Sequence, residues 1–247
     1  MTSVTESSAT QRGNDFAIHA VNVSKLYGDF PAVQNLSLEV PPGDFLALLG
    51  RNGAGKTTLL KLLALLTRPS SGKLTLGELE PEDDPITYRR RMGLLGHNTF
   101  LYDDLTAEEN LLFYASLYGL QQPVPACRQT LDTVGLSAFA KELVRNFSRG
   151  MRQRLAIGRL FLHQPDILLL DEPFNGLDDR AVNLLESLLT EAHRKGKTIV
   201  LCTHQLELAL KHARRLLILD KGKLTYLGDN EPGRLAETQE LYRRFAG

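Results

Sequence analysis

At 247 residues, the chain is long enough to bury about 70–75% of its unfolded surface as one large domain or a core with a lobe. Its 29 basic and 29 acidic side chains cancel, so no overall field favours nucleic acid. Two cysteines, Cys127 and Cys202, stand far apart with no C-x-x-C pattern, which argues against a disulfide framework or zinc site and suits a reducing compartment.

Residues 1–14 are rich in Ser and Thr without an apolar stretch, and are expected to form a mobile, disordered tail and not a signal peptide. No apolar run approaches the roughly 18 residues a membrane span needs, because Lys61, Arg159 and similar charges interrupt each one. From residue 16 to 40 apolar and polar residues alternate, first over Ala17 to Val23 and then over Leu36 to Val40. That period predicts two half-buried antiparallel strands turning at Tyr27-Gly28-Asp29. Tyr27 has two readings, an aromatic that stacks on a nucleotide base or a cover for the strand edge.

The buried-strand run Phe45-Leu46-Ala47-Leu48-Leu49 leads into Gly50-Arg51-Asn52-Gly53-Ala54-Gly55-Lys56-Thr57-Thr58. A leucine-rich helix extending to Leu65 and Leu66 is expected next, apolar on nearly every side. Strand, G-x-x-x-x-G-K-T turn and helix in that order predict a phosphate-binding loop. The glycines permit positive φ and leave no Cβ between main chain and phosphates. Successive amides and the helix dipole point at the anion. Lys56 is placed to reach the β- and γ-phosphates, and the Thr57 hydroxyl to ligate Mg²⁺.

A strand over Lys73 to Gly77 follows, then an acidic loop, and the basic run Tyr88-Arg89-Arg90-Arg91 reads as a solvated helix end. Met92 to Gly96 reads as a core strand ending at His97. Helical text then runs from a capping box of Thr106 and Glu109 to about Val144, predicting a helical subdomain over roughly residues 100–150 inserted between strands. Aliphatic runs at Ile167 to Leu170, Thr198 to Cys202 and Leu216 to Leu219 suit a parallel sheet covered on both faces. Ala181, Leu184, Leu185, Leu188, Leu189 and Ala192 recur at helical spacing between the first two. Asp171-Glu172-Pro173 ends the first of these strands. Beside a phosphate loop, Asp171 can hold the Mg²⁺ shell and Glu172 can orient or deprotonate the attacking water.

Asn146-Phe147-Ser148-Arg149-Gly150-Met151-Arg152-Gln153-Arg154 resembles the signature sequence of ATP-binding cassette (ABC) proteins, Asn175-Gly176-Leu177-Asp178 their D-loop and Thr203-His204-Gln205 their switch histidine. This resemblance implies a nucleotide-binding domain over residues 15–247: an α/β, RecA-like P-loop NTPase core with an antiparallel β subdomain and an inserted α-helical subdomain. It implies Mg-ATP hydrolysis by a homodimer paired head to tail. In that dimer Ser148 and Gly150 face the γ-phosphate held by the partner, His204 touches the same γ-phosphate, and Asp178 couples the two sites. It also implies integral membrane transporter subunits as separate chains, no nucleic acid, and a peripheral place on the cytoplasmic face of the bacterial inner membrane. Two departures stand out. Phe147-Ser148-Arg149-Gly150-Met151 replaces the usual Leu-Ser-Gly-Gly-Gln, and Met in fifth place resembles exporter subunits. His97 stands where the family's Mg²⁺-binding Q-loop glutamine is expected; it is either a link to the membrane partner or an ordinary loop histidine. Leu95-Gly96-His97, followed by Leu105-Thr106-Ala107-Glu108-Glu109-Asn110, is similar to the ATP-binding subunits of haem exporters of cytochrome c maturation. Another exporter, for drugs, lipids or polysaccharide, and a soluble non-transport cassette remain the alternatives.

Overall fold

The computed structural model describes residues 17–96, 98–230 and 235–245. The expected tail over residues 1–14 and the candidate His97 therefore lie outside the described residues. Strands β1 (Ile18–Tyr27) and β2 (Phe30–Val40) pair antiparallel around Gly28, and bury Ile18, Ala20 and Val23 with Leu36, Leu38 and Val40. Next come β3 (Phe45–Gly50), α1 (Lys56–Leu63) and β4 (Ser71–Thr75). Strand β4 joins the other edge of β1, giving a three-stranded sheet in the order β2-β1-β4.

The leucine-rich helix is shorter than its sequence suggests. Leu65 takes φ +53, Leu65 N–H donates to the Leu62 carbonyl at 3.1 Å, and Leu66 N–H to that of Lys61 at 2.9 Å. This pair of bonds is the left-handed closure usually made by glycine; here leucine accepts the strain, and Leu66 leaves the helix 54% exposed.

The remaining chain supplies α2 (Pro85–Arg90), β5 (Met92–Leu95), α3 (Ala107–Leu117), α4 (Pro123–Thr133), α5 (Arg149–Phe161), β6 (Ile167–Asp171), α6 (Asp179–Arg194), β7 (Thr198–Cys202), α7 (Leu206–His212), β8 (Arg215–Asp220), β9 (Lys223–Asp229) and α8 (Leu235–Phe245). A six-stranded sheet runs β5-β6-β7-β3-β8-β9, parallel except for the edge strand β9. Strand period divides its side chains between two cores. Leu46 and Leu48 face α1 and the small sheet, whereas Phe45, Ala47 and Leu49 face α5 and α6. A third cluster joins α3, α4 and part of α5 through Leu111, Ala115, Leu131, Val144 and Leu155. Thr106 and Glu109 form the predicted capping box on α3.

The basic run at the end of α2 is exposed at Arg89 and Arg90, as expected, but not throughout. Tyr88 is wholly buried and Arg91 Nε donates to Asp166 at 3.0 Å, because the helix must pack this face against the adjoining strand. Among the described residues no helix is long and apolar enough to cross a membrane.

Candidate nucleotide-binding site

Strand β3 is buried along its whole length and ends at Gly50, from which the phosphate loop leads into α1. Gly50 and Gly55 have φ +149 and +104, and a Cβ on either would collide with a backbone carbonyl, of Leu219 and Ala32 respectively. Only glycine lets the loop close so tightly. No side chain caps the N-terminus of α1, so its first amides have no capping acceptor and suit an anion. Lys56, 8% exposed, donates from Nζ to the carbonyls of Gly50 at 2.7 Å and Arg51 at 3.0 Å. The ammonium is thus pre-placed inside the loop that it serves. Arg51, Asn52, Gly53 and Thr57 are exposed, Thr58 is half-buried, and Ala54 is buried in the core.

Sheet order brings the other candidates to this loop. β7 lies between β3 and β6, so the residues after each strand meet at one edge of the sheet. Asp171 closes β6, is buried, and has its Oδ1 without a hydrogen-bond partner. A buried, unpartnered carboxylate oxygen is costly unless a cation takes it, and a hard oxygen donor suits Mg²⁺. Burial first, and then the Asp171 carboxylate, push the neighbouring Cys202 thiol far above its ordinary range. Glu172 adopts φ +50, and its N–H donates to the Cys202 carbonyl at 2.8 Å. Its Oε2 meets His204 Nδ1 at 2.9 Å, the carboxylate side being mostly buried and the imidazole more than half exposed. A non-glycine residue at positive φ is a strained conformation that the surrounding structure must enforce.

Other predicted residues sit elsewhere. Ser148 caps α5 by accepting from Met151 N–H at 3.3 Å, and Asp178 caps α6 by accepting from Ala181 N–H at 2.8 Å. Gly150 packs against Asp178. Tyr27 is half exposed, with the Lys25 ammonium 5.2 Å from its ring centre. Among the described residues no hydrogen bond joins Ser148, Gly150, Asp178 or Tyr27 to the phosphate loop.

One surface went unread in the sequence. Leu66, Ile86, Arg89, Phe100, Leu117 and Arg159 border an apolar cavity of about 460 Å³ between α1, α2 and α3. Arg159 is almost fully buried beneath it, donating to the carbonyls of Thr99 and Leu94 and lying 5.1 Å from the Tyr114 ring. Exposed Leu66 and Ile86 gave no signal, since single surface apolar residues are common.

Residues 33–175 match the family model described as ABC transporter. Over 221 residues the chain is 40% identical to the Nod factor export ATP-binding protein I of Cupriavidus metallidurans, spanning 88% of this chain and 72% of that protein. The chain belongs to the ABC transporter family. Another relative, the ABC transporter ATP-binding protein NatA of Bacillus subtilis, is 36% identical over 200 residues, 80% of this chain and 81% of that protein. Among solved structures, a dimeric ATP-binding cassette in a post-hydrolysis state bound to ADP and Pi matches with a TM-score of 0.78 at 26% identity, over 87% of this chain and 99% of that one. As an ABC ATP-binding cassette the chain is an ATPase acting on ATP with Mg²⁺, and its P-loop core, antiparallel sheet and helical parts form the ABC ATPase fold.

Proposed function

We propose that this cassette is the ATP-hydrolysing subunit of an exporter, bound peripherally to separate membrane-spanning chains at the cytoplasmic face of a bacterial inner membrane. The observation that carries its chemistry is the buried Asp171 carboxylate, with one oxygen unpartnered, at the strand edge that it shares with the phosphate loop and the Glu172–His204 pair.

In this reading Lys56 exchanges its bonds to the Gly50 and Arg51 carbonyls for the β- and γ-phosphates, while the amides of residues 50–58 cradle the anion. Thr57 and Asp171 would hold Mg²⁺, which when bound neutralises charge on the phosphates. Glu172 orients or deprotonates the attacking water. His204, now bonded to Glu172, turns to the γ-phosphate and holds that carboxylate in place. Tyr27 stacks on the base. A second copy pairs head to tail, its Ser148 and Gly150 completing the first copy's site at the N-terminus of α5, with Asp178 linking the two sites. The apolar cavity edged by the exposed Arg89 suits a membrane-subunit segment with an apolar face and a carboxylate.

Export is supported by Met151 in the signature and by the similarity to a Nod factor export protein. Haem delivery in cytochrome c maturation is a narrower reading that rests on residues 94–111. Much of that stretch serves local folding: Thr106 and Glu109 cap α3, and the fully buried Asn110 bonds the Tyr102 backbone in both directions. A cargo other than haem is therefore the reading favoured here. Purification from gently solubilised native membranes, with identification of the co-purifying chains, tests it. A membrane subunit with no haem-handling role supports it, haem-handling subunits restore the narrower reading, and recovery only with ribosomes or the soluble fraction refutes transport.

A further inference from the structure

Arg149 opens α5, where a helix dipole disfavours a cation. Its side chain is exposed, and among the described residues it makes no hydrogen bond or ion pair. Its guanidinium lies against Gly176 instead: a Cβ at 176 would fall within the group, 2.7 Å from Cζ and 3.3 Å from Nε. Gly176 has φ +72, so glycine serves both the backbone and the contact. One residue along, a Cβ at Gly150 would stand 2.7 Å from Asp178 Oδ2. Two successive residues of the signature therefore rest on the D-loop of the same chain.

The segment under Arg149 has little slack. Asn175 N–H donates to the Glu172 carbonyl at 3.1 Å and Leu177 N–H to that of Phe174 at 3.3 Å. One end is Glu172, strained at φ +50 and bonded to the Cys202 carbonyl; the other is Asp178, fixed as the cap of α6. A displacement at Gly176 must reach Glu172 through these short turns. We propose that Arg149 is a positioning residue that clamps Gly176, and so ties the α5 face that meets the partner's nucleotide to the Glu172 carboxylate of its own chain. Filling one site then sets the water-activating group of the other. This rests on the head-to-tail pairing proposed above.

Arg149→Ala, Arg149→Lys, Gly176→Ala and the double change Arg149→Ala/Gly176→Ala test it in the full chain. We expect Arg149→Ala to lower kcat by about tenfold or more, as misplaced catalytic groups do. Nucleotide Kd, and ATP-dependent dimerisation in a Glu172→Gln background, should stay within about twofold because neither phosphate loop nor signature amides change. Arg149→Lys should behave like Arg149→Ala, since an ammonium lacks the flat face. Gly176→Ala should lose turnover through backbone strain at φ +72 together with displacement of the guanidinium, and adding Arg149→Ala to it should change kcat by less than about twofold. Parental turnover in Arg149→Ala, full rescue by lysine, or losses that multiply in the double variant would each overturn the clamp alone. Failure of the Glu172→Gln parent to dimerise with ATP would overturn the head-to-tail reading and the clamp with it.

Discussion

Replacing Lys56 by alanine tests how the phosphate loop is prepared for its ligand. The ammonium already gives two donors to the carbonyls of Gly50 and Arg51, at 2.7 and 3.0 Å. Binding therefore exchanges bonds as much as it adds them. The bonds surrendered already have a charged donor and so belong to the same class of about 1.5–3 kcal/mol as those gained; what the phosphates add is an opposite charge, worth roughly 1–2 kcal/mol net at this partly solvated site. Lys56→Ala should accordingly weaken Mg-ATP binding by about 5–30-fold, measured by isothermal titration calorimetry. The same change orphans two carbonyls in the ligand-free chain, so nucleotide-free stability in urea should fall by about 1–2 kcal/mol. Lys56→Arg should not restore affinity, because a planar fork does not fit a slot that leaves lysine 8% exposed. Affinity within twofold of the parent, or an unchanged urea midpoint, would refute the exchange.

Three further outcomes are expected. His163 stacks on Tyr118 and its Nε2 lies 3.0 Å from the Met92 carbonyl, and burial lowers its pKa from 6.5 to about 4. The unfolded chain therefore binds the proton first, so stability is retained above 6.5 and lost as pH falls towards 4. The loss at pH 5 is about 2 kcal/mol, and His163→Phe should remove that part of the slope in urea titrations while keeping the stack. Asn110→Ala should cost about 2–3 kcal/mol, also in urea, because its side chain bonds the Tyr102 N–H at 2.8 Å and carbonyl at 3.0 Å. Gly55→Ala should abolish nucleotide binding in the calorimeter, since its methyl would strike the Ala32 carbonyl and force the loop open.

Legibility in the sequence followed the range of the interactions. The phosphate loop, the acidic strand end and the capping box at Thr106 are local patterns, and the structure builds each where its residues stand. Period-two alternation likewise located β1 and β2. The leucine run after Thr58 misled because apolarity does not mark a helix end; the turn at Leu65 is closed by backbone bonds to Leu62 and Lys61 that any sequence can make. Arg89 and Arg159 border one cavity, and Arg149 meets Gly176, only because sheet order folds distant segments together. Neither contact has a sequence period. The Glu172–His204 bond has the same origin, with β6 and β7 adjacent and His204 following β7.

The central claim is that ATP joins two copies of this chain and that Glu172 is needed to part them. Its most direct test is the molar mass of purified Glu172→Gln, by light scattering, with and without Mg-ATP. A general base contributes about 10²–10⁴-fold, so hydrolysis should be nearly lost while binding remains, and mass should double with Mg-ATP. A monomer at saturating Mg-ATP, or turnover near the parent rate, would contradict the account.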